Sequence, residues 1–157
     1  MHKELETSSA DTQGHDTHTG STVVGAQVKG ASLYRIGKGT TRGSVPSARL
    51  QIYKVCSTEG DDYCYEADIF AGFGDAINDG VDFISLSIGG PPSEYFKDVI
   101  SIGSDHAIEH GILTRAATDN NGGYPNIVPN VAPWILTVTA TDRAKQYKTT
   151  VGLENRV

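Results

Sequence analysis

His15, in the run Asp11-Thr12-Gln13-Gly14-His15-Asp16-Thr17-His18-Thr19-Gly20, carries an imidazole among small and hydroxylated neighbours. Such a group can take and return a proton near neutral pH. His18 follows three residues later, a spacing that can set two ring nitrogens on one helix face as metal ligands. No third ligand of matching context accompanies the pair, so no metal is expected and His18 reads as a structural histidine near a helix start. His106 and His110 repeat the pattern at i and i+4, but Asp105 and Glu109 beside them mark a solvated face. Gly37-Lys38-Gly39-Thr40-Thr41-Arg42-Gly43 has the look of a phosphate loop. It lacks the Gly-Lys-Ser/Thr ending and opens no strong helix, so it reads as a flexible surface connection and no cofactor is expected.

The elements that must position these groups belong to a chain of 157 residues, 38% hydrophobic and 20% charged, enough for one globular domain with a core. Its 13 basic residues are scattered and the net charge is −6, which gives nucleic-acid binding no support. No apolar run is long enough to cross a bilayer. The start, Met1-His2-Lys3-Glu4-Leu5-Glu6, lacks the apolar centre of a signal peptide, so no membrane partner is expected. Cys56 and Cys64 flank a turn-like stretch; by their spacing they are either a small disulfide loop or two free thiols.

Residues 1–13 read as a polar, frayed leader. The alternation of Arg49-Leu50-Gln51-Ile52-Tyr53-Lys54-Val55 predicts a strand with Leu50 and Ile52 on one face. Ile69, Phe70, Phe73 and Ile77 recur at helical spacing over 66–78, with Gly80 as the stop; Gly72 and Gly74 weaken that helix by about 1 kcal/mol each relative to Ala. Val81 to Ile88 is a nearly continuous apolar run, as in a parallel strand covered on both faces, and Gly89-Gly90-Pro91-Pro92 ends it. A second helix is expected over Ser93 to His110, aligning Phe96, Ile100, Gly103 and Ala107. Two further strands are expected, Ile112 to Ala117 and Trp134 to Thr139. Alternation of this kind predicts an α/β fold with a mostly parallel sheet and helices on its two faces. Ligands in such sheets bind at the carboxyl ends of the strands. Those ends are Ser87-Ile88-Gly89-Gly90 and Thr118-Asp119-Asn120-Asn121-Gly122-Gly123.

Four stretches, in order, resemble the subtilisin-like serine proteases (subtilases) and within them the plant cucumisin-like branch. They are Gly14 to Thr19, Ala48-Arg49-Leu50-Gln51-Ile52-Tyr53-Lys54-Val55-Cys56, Asp79 to Gly90, and Asn130-Val131-Ala132-Pro133-Trp134-Ile135. The likeness runs from Asp11 to about Val151. It implies a three-layer α/β/α catalytic domain, present in part over 14–147, with 148–157 beginning the connection to a protease-associated domain. It further implies that His15, at the start of a helix, is the general base of acyl transfer to a serine. Ser87, Ile88 and Gly89 would form the strand that pairs with an extended polypeptide substrate and walls its main pocket. Asn120 would donate to the developing oxyanion. By the same resemblance Cys56 and Cys64 are bridged and the protein is extracellular, in the apoplast or cell wall.

The likeness also defines departures. No Gly-Thr-Ser of the family's nucleophile type occurs in the sequence, and only a short polar segment precedes His15 where the family has its aspartate strand. Asp11 lies too close to His15 in sequence to be that aspartate. Asp16 and Asp119 stand where the family has glycine. A carboxylate about 5 Å from an oxyanion opposes it by roughly 3 kcal/mol at an effective dielectric near 20. That matches the about 3 to 4 kcal/mol attached to one oxyanion donor, a magnitude itself taken from a subtilisin. The expectation is therefore a serine endopeptidase by lineage whose 157 residues lack a working active site. The alternatives are a non-catalytic peptide-binding module and an unstable fragment.

Overall fold

A computed structural model describes residues 10–56, 63–120 and 126–140. In chain order they form α1 (His15–Val24), β1 (Val28–Leu33), β2 (Ile36–Thr41), α2 (Glu66–Asn78), β3 (Phe83–Leu86), α3 (Val99–Glu109), β4 (Leu113–Ala117) and β5 (Ile135–Val138). β3, β4 and β5 make a parallel sheet in that order, and β1 pairs antiparallel with β2 in a separate hairpin. The expected α/β architecture with a parallel sheet is present in part.

α2 keeps both expected ends. Ile69, Phe73 and Ala76 turn one stripe inward, Glu66 and Asp68 favour the positive end of the helix dipole, and Gly80 (φ 67°) leaves the helix in a left-handed conformation. Gly72 is more than a weak point. A Cβ there would come within 2.6 Å of the Val55 side chain, so the glycine lets the preceding segment lie on the helix. α3 starts at Val99, later than the pattern suggested, because Asp98 adopts an extended conformation and its carboxylate accepts from the amides of Ile100 and Ser101. Phe96, expected on the apolar stripe, is instead 85% exposed.

α3 packs on both α2 and β4, so the two helices share one face of the sheet. Gly103 brings them close, since a Cβ there would meet the Phe73 ring at 2.4 Å. The core of Ile69, Phe73, Ile100, Ala107, Ile112, Ala116, Ala132 and Ile135 lies in this layer. Trp134 locks α3 to the strand region by donating its indole N–H to the Ser101 carbonyl and to Ser104 Oγ. On the opposite face Phe83, Leu113, Leu136 and Val138 are each more than a third exposed. Among the described residues β3 is therefore covered on one face, not on both.

Two other expectations change. Residues 49–55 form no strand ladder, and Leu50 and Ile52 are exposed. The alternation supplies a face, but among the described residues no strand lies alongside to complete a ladder. The segment is tied to α2 instead: Gln51 Nε2 and Tyr53 Oη donate to Asp79 Oδ2 at 2.5 and 2.8 Å. Burial first, then the Asp79 contact, pushes the Tyr53 phenol up to about 12. The Gly37–Gly43 stretch is mostly β2, not an irregular connection. Its hairpin turns at Tyr34 and Arg35, both with positive φ (47° and 71°), as a type I′ turn requires.

Candidate functional site

Because β3, β4 and β5 are parallel, their carboxyl ends lie along one edge. The ladders end at Leu86 opposite Ala116 and at Ala117 opposite Val138. Ser87-Ile88-Gly89 and Thr118-Asp119-Asn120 continue past those pairs, so the structure brings the two expected segments to one place. Asn130 fastens them. Its buried side-chain amide donates to the Ile88 carbonyl at 3.0 Å and to the Ala117 carbonyl at 2.8 Å. Its own carbonyl accepts from Thr137 Oγ1 on β5. Sequence reading assigned Asn130 no role. The available signal was an asparagine directly before the Val131-Ala132-Pro133-Trp134 approach to a strand, a residue type that tolerates the left-handed φ of 58° found there.

Asp119 also has a left-handed backbone, φ 62°. That conformation suits glycine, and an aspartate holds it at some strain. A Cβ on Gly89 would lie 2.8 Å from both Cβ and Cγ of Asp119, so the aspartate side chain occupies the space that a residue-89 side chain would need. Asp119 Oδ1 also accepts the backbone N–H of Asn120 at 2.6 Å. Asn120 is exposed, and the rest of its turn, 121–125, lies outside the described residues.

His15 opens α1, which buries none of its side chains. The ring is 55% exposed, with Nδ1 3.6 Å from Asp16 Oδ1, and it makes no hydrogen bond to Ser87, Ile88, Gly89 or Asn120. What fixes the helix start is Asp11. Its carboxylate accepts from the amides of Gln13, Gly14 and Thr17 and from Thr17 Oγ1 (2.6 Å), while Gly14 turns through φ 91°. The Thr17 hydroxyl above all, then these amides, holds the Asp11 carboxyl well below the usual carboxylate range. A depressed folded-state value means that the cap's contribution is complete above the ordinary carboxylate range and is lost only as pH falls far below it. Asp11 is thus a helix cap, already committed, and not an orienting group for His15.

Cys56 and Cys64 are joined by a disulfide that closes a sequence separation of 8; residues 57–62 between them lie outside the described residues. Of the other histidines, His106 lays its ring edgewise on Phe70, and His110 Nδ1 lies 2.9 Å from the His106 carbonyl, which it caps. Among the described residues no group of three or more His, Cys, Asp or Glu could hold a metal ion, and no helix is long and apolar enough to cross a membrane.

The subtilase family profile, Peptidase_S8, matches residues 2–152. The chain belongs to the subtilase family. It is 52% identical over 145 residues to subtilisin-like protease SBT4.14 of Arabidopsis thaliana, a match covering 92% of this chain and 19% of that protein. It is 46% identical over 147 residues to subtilisin-like serine-protease S of Lotus japonicus, again 92% of this chain and 19% of the relative. This subtilase chain thus spans about a fifth of the length of the curated relatives it matches. Among solved structures it resembles the S41 psychrophilic protease with a TM-score of 0.62 and 24% identity, over 86% of this chain and 41% of that one, a likeness of fold. The parallel sheet and its two covering helices are accordingly part of a subtilisin-type α/β domain.

Proposed function

We propose that this chain carries part of the catalytic domain of a plant subtilisin-like serine endopeptidase acting on extended polypeptides. In this reading His15 is the general base, Asn120 the oxyanion donor, and Ser87-Ile88-Gly89 the strand that takes the substrate backbone. The observation that carries it is the common carboxyl edge, where the ends of β3 and β4 are fastened together by Asn130. Family membership supplies the chemistry. The Cys56–Cys64 bridge supports an oxidising, extracellular location. Residues 14–147 are the catalytic portion, 1–13 its leader, and 148–157 lead towards a protease-associated domain.

We further propose that the 157-residue chain by itself binds peptide without cleaving it. No Gly-Thr-Ser occurs in its sequence, Asp119 brings a carboxylate beside Asn120, and His15 has Asp16 for its polar neighbour. A fluorophosphonate probe, which labels activated serines, should leave the purified chain unlabelled. Labelling above a heat-denatured control would refute the proposed inactivity, and absence of any peptide binding would refute the strand assignment.

A further inference from the structure

The basic residues of this chain are scattered, but its acidic ones are not. Between Asp16 and Glu59 there is no Asp or Glu, while six of the 13 Lys and Arg fall there, in a chain whose net charge is −6. Four of those six sit on or beside the β1–β2 hairpin: Lys29 on β1, Arg35 in the turn, Lys38 on β2 and Arg42 just past it. Among the described residues none of the four makes a side-chain hydrogen bond or ion pair. Eleven of the twelve strand residues are exposed, and apolar groups stand beside the cations: Tyr34 is 91% exposed, Leu33 65% and Ile36 55%. Leu33 and Ile36 are cross-strand partners, so they share one side. The feet of the hairpin are fixed, because the amides of Gly43, Ser44 and Val45 donate to the carbonyls of Gly25, Thr22 and Val23 at 2.8, 2.9 and 2.8 Å. A two-stranded hairpin standing alone is marginal in water. Its turn adds the strain of two bulky residues at positive φ, and strain of this kind gathers at binding sites.

We propose that the β1–β2 hairpin docks an acidic, extended polypeptide, whose carboxylates meet Lys29, Arg35, Lys38 and Arg42 and whose apolar side chains meet Leu33, Tyr34 and Ile36. The hairpin shares no ladder with β3-β4-β5, so this surface is separate from the Ser87-Ile88-Gly89 segment. The distribution of charge favours a chain-like partner. From Arg35 to Arg42 the strand runs roughly 20 Å at about 3.4 Å per residue, so the cations line the length of the hairpin. A bilayer met by the tip would leave Arg42 roughly two Debye lengths away. A nucleic-acid strand would need a row of aromatic platforms, and the hairpin offers one, Tyr34, among aliphatic side chains. Register shifts on either side of Ala31 interrupt the ladder, which suits recognition by side chains and not by an added third strand.

The test is fluorescence anisotropy with the full 157-residue chain and labelled peptides in which Glu, Gln or Lys alternates with Ala and Leu. At low ionic strength the Glu peptide should bind about tenfold more tightly than the Lys peptide, with the gap closing as salt is added. Lys29→Gln with Lys38→Gln should weaken the Glu peptide about three- to tenfold while the far-UV spectrum is retained. Tyr34→Asn with Arg35→Gly suits the turn better than the native pair and should also weaken binding, so the loss cannot be laid to a broken hairpin. Equal affinity for the three peptides, or a Glu preference that survives both double variants, overturns the assignment. Tighter binding of oligothymidylate or of phosphatidylserine vesicles than of the Glu peptide, abolished by the same substitutions, overturns it as well and gives the hairpin to a nucleic acid or a membrane.

Discussion

Asn130 does with one amide what a strand ladder would otherwise do with two backbone partners. Its NH₂ group serves the Ile88 carbonyl beyond the end of β3 and the Ala117 carbonyl at the end of β4, where the β3–β4 ladder has stopped. Replacing it by Ala leaves both half-buried acceptors without their donor, which should cost about 1 to 3 kcal/mol. Urea denaturation of Asn130→Ala against the parent should show that loss as a lower midpoint with unchanged slope; a change under about 0.5 kcal/mol would show that other donors take its place. None of this was legible in the sequence, because a hydrogen bond from residue 130 to residue 88 depends on how loops fold over a sheet. His15, Asn120 and the Ser87–Gly89 run were singled out by their residue types and by resemblance. The left-handed backbone of Asp119 and its contact with Gly89 needed coordinates.

Elements with a local signature were readable and those that depend on a partner were not. α2 carries its own stripe and stop signal, and its bounds agree with the spacing. The 49–55 alternation has no strand beside it among the described residues, so a correct period led to the wrong element. The β1–β2 hairpin was missed for the opposite reason: Tyr34-Arg35 is an unusual pair for a turn with two positive φ angles, normally Asn-Gly. That strain is testable. Tyr34→Asn with Arg35→Gly should stabilise the hairpin by about 1 to 2 kcal/mol, visible as slower amide exchange in Ala31 and Leu33. Equal or faster exchange would mean that the two side chains repay the strain through contacts of their own.

At the scale of the whole molecule, the described residues finish the sheet on one side only. α2 and α3 cover the face that holds Ile84, Thr114 and Ile135, while Phe83, Leu113, Leu136 and Val138 remain exposed on the other. A patch of this kind binds hydrophobic dyes. Anilinonaphthalene sulfonate should therefore brighten with the 157-residue chain, and Phe83→Ser with Leu136→Thr should remove about half of that signal with the far-UV spectrum retained. Unchanged brightness would locate the dye elsewhere. The pairing of Gly89 with Asp119 leads to a different kind of consequence, about the order in which such a chain can change. The two positions share room for a single side chain, so an aspartate at 119 is tolerable only while residue 89 stays bare. Any lineage that acquired the aspartate has thereby frozen its neighbouring glycine, and a return to glycine at 119 must come first before position 89 is free to vary.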